Sequence, residues 1–319
     1  MIRSFLVAAF FAAFSLPAQT RTPVLIDTDI GDAVDDSLAL GLALASPELD
    51  VRGVTTVIDD VDSKTRLAWK ELVIFGRRDI PLAMGAPEPL LDAKLPSHPA
   101  AFHILTSSDR IPESAHRPAA SFLVDTLMNS RDKLTLIAIG PLTNVALALK
   151  IEPRIKERIE RIAVMGGAFA ARQAEYNVKR DPVAAEVVFL SGVPILAVGL
   201  DVTAPCRLRA EDLESLRVAQ SPTARFLLRQ IELSQSETGQ ALPTLYDPLA
   251  VAAVFRPDLV ETAAGKVEVS LANDDTRGQT RFTADPAATT RVGVKVNAQA
   301  FLDLFIKRIA NAGVFGGSR

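Results

Sequence analysis

The segment Leu25–Leu40, LIDTDIGDAVDDSLAL, carries five aspartates within a short stretch. An apolar, strand-like run precedes them at Val24–Ile26, Gly31 marks a turn, and an apolar, helix-like run follows at Leu38–Ala45. Carboxylates crowded this closely repel one another, so the segment predicts a bound cation that prefers oxygen ligands. We expect these carboxylates to converge on one crevice, with Asp35 and Asp36 as cap or first-turn residues at the N-terminus of the helix. The five are Asp27, Asp29, Asp32, Asp35 and Asp36.

Strand-like and helix-like runs alternate along most of the chain. The strand candidates are Val24–Thr28, Val51–Ile58, Pro81–Met84, Leu134–Ile139, Ile162–Met165 and Ile195–Leu200. The helix candidates are Ser37–Ala45, Ser63–Phe75, Ala119–Asn129, Thr143–Leu149 and Pro182–Leu190. This alternation predicts an α/β fold with an open, mostly parallel, Rossmann-like sheet that is flanked by helices. Three late strand candidates predict a small β region at its edge: Lys266–Ser270, Gln279–Thr283 and Thr290–Val296.

Polar, acidic or glycine-rich groups follow the strand candidates. Ligands of open parallel sheets bind beyond the carboxyl ends of the strands, so these groups predict a site at one rim of the sheet. The groups are Asp27–Asp29, Asp59-Asp60, Gly140–Asn144, Met165–Gly167 and Asp201–Thr203.

Charge and composition exclude several classes of partner. Lys+Arg number 35 and Asp+Glu number 38, a near balance that does not favour nucleic acid polymers or anionic membranes. The aromatic content is only 6%, which disfavours a base-stacking surface for single strands. The sequence lacks a GxxxxGK[ST] phosphate loop and a GxSxG nucleophile motif, and the lone Cys206 has no evident partner. A small-molecule substrate is therefore expected.

The residue types at the rim favour a hard metal ion. The three histidines, His98, His103 and His116, share one loop region without zinc spacing, so zinc and copper are disfavoured. Oxygen ligands suit calcium or magnesium. A divalent cation held by carboxylates lowers the pKa of a bound water, and a neighbouring aspartate can take the proton. The pattern therefore favours hydrolysis.

The first residues predict a signal peptide. Arg3 supplies positive charge, Phe5–Leu16 is apolar, and cleavage after Ala18 would remove residues 1–18. The apolar run is shorter than the roughly 20 residues that a membrane-spanning helix needs, so no stable membrane association is expected after cleavage. We expect an exported protein, periplasmic or secreted, in which residues 19–319 form one domain.

Further motifs follow the aspartate segment in a fixed order. They are TTVID at 55–59, GPLTN at 140–144, MGG at 165–167, AEYN at 174–177, DP at 181–182, GLDVT at 199–203, YDPLAVA at 246–252 and TRGQT at 276–280. With DTDIGDAVDD, this set resembles the inosine–uridine-preferring nucleoside hydrolase family from about Val24 to the last helix. The resemblance implies that a calcium-bound water hydrolyses the N-glycosidic bond of a ribonucleoside or related N-riboside, releasing base and ribose.

The resemblance also implies a role for each matched residue. The calcium ligands would be Asp29, Asp36, the backbone carbonyl of Thr143, and Asp247. Asp29 would also be the general base. The ribose hydroxyls would be bound by Asp35, Glu175 and Asn177, with Met165 beneath the sugar. Asp27 would support the site from behind.

Three departures from the family pattern affect these expectations. Tyr246 stands where many relatives have a histidine before the late aspartate. Its unperturbed pKa of about 10 makes it a weak proton donor, and we consider it as the catalytic acid beside a second candidate, His103. Asp59-Asp60 follows the TTV strand where relatives often have Gly-Asn, so we expect Asp60 to contact the sugar or the metal shell.

The third departure is the short segment AFAARQ after MGG, which lacks a Gly-Asn contact found in relatives. Phe169 or Arg172 would fill that space. Solvated loop charges are expected at Arg172, Lys179 and Arg180, with contact to an anionic group as the alternative. Asp32 is the one clustered aspartate without an assigned role, and solvation is one explanation for it.

We therefore expect an exported, calcium-dependent N-ribosyl hydrolase with a nucleoside substrate of open base preference. Relatives often form dimers or tetramers, so a homo-oligomer is an expectation of the resemblance. One alternative is a calcium-containing ribose- or riboside-binding protein of the same fold with little or no activity. Others are a different glycosyl hydrolase on this fold and a haloacid-dehalogenase-like phosphatase that shares only the DxD pattern.

Overall fold

A single sheet organises the part of the chain that the computed structural model describes, residues 21–91, 102–219, 221–239 and 242–312. The predicted signal peptide, residues 1–18, and His98 lie outside the described residues. The strands are β1 Thr22–Thr28, β2 Leu49–Thr56, β3 Leu82–Ala83, β4 Leu134–Ala138, β5 Ile159–Met165, β6 Ile195–Val198, β7 Val260–Val269, β8 Thr280–Ala284 and β9 Thr290–Val296. Their order across the sheet is β3-β2-β1-β4-β5-β6-β9-β7-β8.

The pairing confirms the predicted open, mostly parallel sheet. Every pair from β3 to β9 is parallel, including β6 with β9. Strand β7 pairs antiparallel with β9 on one side and with β8 on the other, so β7 and β8 extend the sheet beyond β9. The late β region therefore continues the main sheet.

Helices cover both faces of the sheet. They are α1 Val34–Leu44, α2 Val61–Ile74, α3 Ala119–Asn129, α4 Thr143–Ile151, α5 Tyr176–Arg180, α6 Pro182–Phe189, α7 Leu200–Thr203, α8 Ala210–Val218, α9 Pro222–Thr238, α10 Tyr246–Phe255 and α11 Ala298–Asn311. Along β1, Val24 and Ile26 join one apolar core while Leu25 joins the other. Successive side chains of a strand point to opposite faces, so both faces are buried, which explains the continuous apolar runs.

The two apolar cores contain different helices. Buried side chains of α1, α10 and α11 form the first core, as with Leu38 and Phe305. Buried side chains of α3, α4 and α6 form the second, as with Leu123 and Val188. Among the described residues, no helix combines the length and apolar character that a membrane crossing needs.

Several element boundaries differ from the prediction, among them the start of α1 and the end of β2. Helix α1 begins at Val34 with Ala33 as its N-cap, and that cap makes no side-chain hydrogen bond. Asp35 and Asp36 are first-turn residues, as predicted, but neither of them caps the helix. Strand β2 ends at Thr56, and the chain then turns with positive φ at Ile58 (63°) and Asp59 (59°). Left-handed backbone is unusual for a β-branched residue.

Candidate active site

A cavity of about 370 Å³ opens beyond the carboxyl ends of the central strands. It is lined by Asp29, Asp32, Ala33, Asp35, Asp36, Ile139, Met165, Gln173, Ala174, Glu175, Tyr176, Asn177, Leu200, Tyr246 and Asp247. Four of the five clustered aspartates are in this set. The rim that the sequence predicts is thus a real concavity of the size that binds small molecules.

Three buried carboxylates meet in the cavity wall. Asp35 and Asp36 lie in the first turn of α1 and Asp247 lies in the first turn of α10, a helix that packs against α1. Each offers an oxygen atom within 4.8 Å of the others. Helix N-termini favour negative charge, so the two helices are arranged to hold this cluster.

Burial raises the pKa of each carboxyl in the cluster. Loss of hydration is the main cause, and it raises the pKa of Asp35 to about 6. The pKa values of Asp36 and Asp247 lie well above the usual range, because the charges of neighbouring aspartates add to the effect of burial. No ion pair joins these three to a lysine or arginine of the described residues. A hard divalent cation fits this oxygen-only, uncompensated set.

Asp29 lies beside this group on the cavity wall. It shares a side-chain hydrogen bond with Asp36, and burial raises its pKa well above the usual range. Thr28 Oγ1 donates to Asp36 Oδ1 at 2.5 Å, which fixes the other side of that carboxylate. A Cβ atom at Gly140 would come within 2.8 Å of Asp29 Oδ1, so the first residue of GPLTN must be glycine for this approach.

Asp27 is the clustered aspartate that does not line the cavity. Its Oδ1 accepts from Thr55 Oγ1 at 2.5 Å and from Asn144 Nδ2 at 2.8 Å. Asn144 Nδ2 also donates to the Thr56 carbonyl at 2.8 Å. Asp27 therefore ties β1 to β2 and α4 behind the rim, and burial raises its pKa to about 7.

Thr143 was expected to bind calcium through its backbone carbonyl, and the structure shows a contact of its side-chain hydroxyl. Its hydroxyl donates to Asp181 Oδ2 at 2.7 Å, and Asp181 Oδ1 accepts from Ala184 N at the start of α6. Thr143 is buried but is not among the cavity-lining residues. Its backbone carbonyl as a metal ligand stays a prediction.

The opposite wall carries the residues expected to bind the sugar. Glu175 Oε1 accepts from Asn177 N at 2.9 Å, while Oε2 accepts from Gly167 N and Val178 N, both at 3.1 Å. Asn177 Nδ2 donates to the Ile139 and Met165 carbonyls at 2.9 and 3.1 Å. Burial nevertheless raises the pKa of Glu175. The backbone therefore holds this wall in place.

The loop before this wall is held by two residues that the sequence analysis did not assign. Ala168 N donates to Thr280 Oγ1 at 3.0 Å, and Thr280 Oγ1 donates to the Ala168 carbonyl at 3.1 Å. Asp201 accepts from Phe169 N and Ala170 N at 2.7 and 2.8 Å. Asp201 lies in the GLDVT motif and Thr280 lies in the TRGQT motif. Membership of these motifs was the sequence signal that could have identified both residues. The late strand β8 thus positions part of the site.

Several expected site residues lie elsewhere. Tyr246, the first residue of α10, does line the cavity. Asp60 is exposed and caps α2 by accepting from Ser63 N at 3.0 Å, so the structure does not bring it to the cavity. His103 is exposed and is not among the lining residues. Phe169 packs against Phe282 and also does not line the cavity.

Two buried ion pairs flank the acid cluster. Lys64 Nζ lies 2.9 Å from Asp32 Oδ1, and Arg180 Nη2 lies 2.6 Å from Asp59 Oδ1. The side chains of Lys64, Asp32 and Arg180 are at most 5% exposed. The expectation that Arg180 is a solvated loop charge is therefore wrong, and solvation does not account for Asp32. The partners of the second pair are separated by 121 residues, and no local pattern could have joined them.

Comparisons with known proteins agree with this geometry. The family described as "Inosine-uridine preferring nucleoside hydrolase" matches residues 24–303. The chain is 34% identical to a pyrimidine-specific ribonucleoside hydrolase, RihA, of Citrobacter koseri, over 90% of this chain and 98% of that protein.

Solved structures give the same result. A purine-preferring ribonucleoside hydrolase from Gardnerella vaginalis has a TM-score of 0.82 at 28% identity, covering 91% of this chain and 99% of that chain. An inosine–uridine preferring nucleoside hydrolase from Bacillus anthracis has a TM-score of 0.76 at 25% identity, with the same coverage. The ordered motifs, the acid-lined cavity and these likenesses together show that the chain belongs to the inosine–uridine preferring nucleoside hydrolase family and is an N-ribosyl hydrolase.

Proposed function

We propose that this enzyme hydrolyses the N-glycosidic bond of a ribonucleoside with calcium as its cofactor, releasing the base and free ribose. One observation carries the proposal: three buried carboxylates lie within 4.8 Å of one another in a cavity wall, without a lysine or arginine partner among the described residues. Such a set is stable only with a cation or with added protons.

The metal would be held by carboxylate and carbonyl oxygens. Asp36 and Asp247 supply two of the clustered carboxylates, Asp29 is hydrogen-bonded to Asp36, and the Thr143 carbonyl is the fourth proposed ligand. Calcium accepts more oxygen ligands and a looser geometry than magnesium, which suits a site assembled from three separate segments. A bound calcium ion supplies positive charge that lowers the pKa of a water molecule and orients it.

The chain's own residues provide the proton transfers and the sugar contacts. Asp29 takes a proton from the attacking water. Asp35, Glu175 and Asn177 hold the ribose hydroxyls, and Met165 lies beneath the ring. As the bond to the base breaks, the sugar gains positive charge, and the nearby carboxylates stabilise it.

Tyr246 is proposed to donate a proton to the departing base. It lines the same cavity and directly precedes the clustered Asp247. Tyr246 is partly buried, and it also packs against the first apolar core.

A substrate panel tests this function. Relatives include a pyrimidine-specific and a purine-preferring enzyme, so the panel contains ribonucleosides of both base classes. Free base and free ribose are measured with chelator, with added calcium and with added magnesium. We expect release of both products in calcium. Calorimetric binding of a ribonucleoside without base release would instead favour the riboside-binding alternative.

We also propose that the enzyme is exported through residues 1–18 and then forms a homo-oligomer. Cell fractionation followed by N-terminal sequencing tests the first part. A mature protein beginning near Gln19 outside the cytoplasm is expected. Full-length protein in the cytoplasmic fraction contradicts it, and a monomer in sedimentation velocity contradicts the second part.

A further inference from the structure

We propose that Asp32 determines specificity by accepting a hydrogen bond from a donor group of the ribonucleoside, with Lys64 as its positioning residue. The inference rests on the proposed function and deepens it, because it assigns a substrate contact outside the roles already given. The donor is a sugar hydroxyl or an N–H group of the base, and the experiment below distinguishes these two sources.

The first observation is a free acceptor on the cavity wall. Asp32 lines the cavity together with Asp29 and Asp35. Its side chain is 5% exposed, and Oδ1 is taken by Lys64. Its Oδ2 is buried and accepts no hydrogen bond from the described residues. A buried acceptor without a hydrogen bond costs free energy. A ligand that donates a hydrogen bond to Oδ2 would therefore gain binding free energy.

The second observation is the anchoring of Lys64. Its side chain is 1% exposed and lies on α2, outside the cavity lining. Besides Asp32, its ammonium group donates to the Val57 carbonyl at 3.2 Å. Because two acceptors hold its ammonium group, Lys64 keeps one position beside Asp32. The Asp32 carboxylate is therefore fixed before a substrate arrives, which lowers the entropy that binding costs.

The charge balance decides which ligand chemistry fits. Lys64 already neutralises Asp32, so a second cation at Oδ2 has little to gain. Asp32 is also absent from the group of three carboxylates that could hold a metal. An ionised carboxylate can only accept hydrogen bonds. A neutral donor is the matching partner, and ribonucleosides carry such donors on both sugar and base.

The other buried ion pair provides a matched control. Asp59 also pairs with a buried cation, Arg180, and also has a buried Oδ2 without a hydrogen bond from the described residues. It does not line the cavity. Asparagine tolerates the left-handed backbone at this position, so Asp59→Asn changes one partly buried carboxylate at a residue that does not line the cavity.

The experiment compares calcium-loaded wild type, Asp32→Asn and Asp59→Asn on intact ribonucleosides and on analogues that each lack one donor. The analogues are the 2′-, 3′- and 5′-deoxy sugars and an N-methylated base. We expect Asp32→Asn to lower kcat/KM by about ten- to a hundredfold on intact substrates, as for loss of a hydrogen bond to a charged group. Asp59→Asn should stay within about twofold of wild type.

The analogue that lacks the contacted donor identifies the source. On that analogue alone, wild type and Asp32→Asn should have equal kcat/KM, because the hydrogen bond is absent from both. Lys64→Met should weaken the same substrates with the same analogue pattern, and Lys64→Arg should restore part of the loss. Calcium affinity, measured by calorimetry, should be unchanged in Asp32→Asn.

Two results would overturn the inference. One is equal kcat/KM for wild type and Asp32→Asn on every intact substrate. The other is the same fold loss on every analogue, which would mean that Asp32 acts on the fold or on the metal. If Asp32→Asn does not melt cooperatively, Asp32→Ala, which also removes the carboxylate acceptor, gives the same comparison.

A failure of the proposed function would look different. Wild type would then release no base from any ribonucleoside. In that case, calorimetric binding of the same ribonucleosides to wild type and Asp32→Asn still tests the contact: tighter binding to wild type supports it, and equal affinity rejects it.

Discussion

Neighbours, rather than residue type, decide what each clustered aspartate can do. Asp27 is hydrogen-bonded behind the rim, and Asp32 is neutralised by Lys64. Asp35 and Asp36 face Asp247 without a protein cation among the described residues. Burial raises the pKa of all five, and Asp35 and Asp36 are the two that form an oxygen-ligand group with Asp247.

Replacing Asp29 by asparagine tests the general base. We expect Asp29→Asn to lower kcat by about 10²- to 10⁴-fold, the usual effect of losing a positioned base. Steady-state rates on the best ribonucleoside measure it. Asp258→Asn, which removes an exposed carboxylate paired with Arg256, serves as the control and should keep the wild-type rate. Equal rates for Asp29→Asn and wild type would remove Asp29 from the mechanism.

Tyr246→Phe tests the proton donor. We expect kcat on ribonucleosides to fall by about a hundredfold, because the departing base then lacks a proton. The loss should nearly vanish on 4-nitrophenyl riboside, whose leaving group departs as a stable anion. Parallel rate measurements on both substrates check this. A similar loss on both would mean that Tyr246 packs against the substrate without donating a proton.

The positions of residues in local motifs could be predicted from the sequence, whereas long-range pairing could not. The four lining aspartates, Glu175 and Asn177 all lie in ordered motifs and all reach the cavity. Arg180 was expected in solvent because its partner, Asp59, is distant in the chain. Asp60 was expected at the site, but as the N-cap of α2 it points its carboxylate at Ser63 N.

Among the secondary-structure elements, the N-termini of helices and the loops beside them form the site. The first turns of α1 and α10 supply the carboxylates, and the start of α5 supplies the sugar wall. Strand β8 holds the loop between β5 and α5 through Thr280. The late hairpin, which looks peripheral in the sequence, therefore holds a loop that leads to the cavity wall.

Thr280→Val tests this support. The change keeps the shape but removes both hydrogen bonds to Ala168, each worth about 1 kcal/mol. We expect KM to rise by about tenfold with a smaller change in kcat, since the loop leads to Glu175. Thr283→Val, at an exposed position of the same strand, should leave KM unchanged. An unchanged KM in Thr280→Val would show that the loop is held by other contacts.

A buried acid between α1, α2 and α9 gives a pH prediction. Glu71 is fully buried, and Ser37, Gln230 and the Gly41 backbone lie beside it, although neither Oε atom makes a hydrogen bond of ordinary geometry with the described residues. Burial raises its pKa well above 4.5. The folded state then binds the proton more tightly than the unfolded chain, so stability is lost as pH rises above about 4.5.

Glu71→Gln removes that pH-dependent loss. We expect the variant and wild type to have similar Tm values near pH 4.5 and the variant to melt higher near pH 8. Thermal melts across this range in one buffer ionic strength measure the difference. If Tm differed by the same amount at every pH, ionisation of Glu71 would not account for the loss of stability at high pH.

In the molecule as a whole, the topology of the sheet brings the residues of the site together. Parallel strands present their carboxyl ends at one edge, so segments from residue 29 to residue 247 meet there. The alternation of runs was sufficient to predict this architecture. Strand ends were predicted unevenly: β1 ends at Thr28 as predicted, whereas β2 ends at Thr56, two residues before the predicted Ile58.

Calcium should stabilise the folded enzyme as a whole. A ligand present at 100 times its Kd adds about 2.7 kcal/mol to the free energy of unfolding, provided that it does not bind the unfolded chain. We expect Tm in calcium to exceed Tm in chelator by several degrees, and Asp247→Asn to reduce that difference. Differential scanning calorimetry measures both. Identical Tm values with and without calcium would contradict a calcium site in this cluster.

The most direct test of the central claim is product analysis with metal-free enzyme. Purine and pyrimidine ribonucleosides are incubated in chelator, calcium is then restored, and free base and free ribose are quantified chromatographically. We predict no release in chelator and equimolar base and ribose after calcium is restored. Release at full rate in chelator, or no release in either condition, would contradict calcium-dependent ribonucleoside hydrolysis.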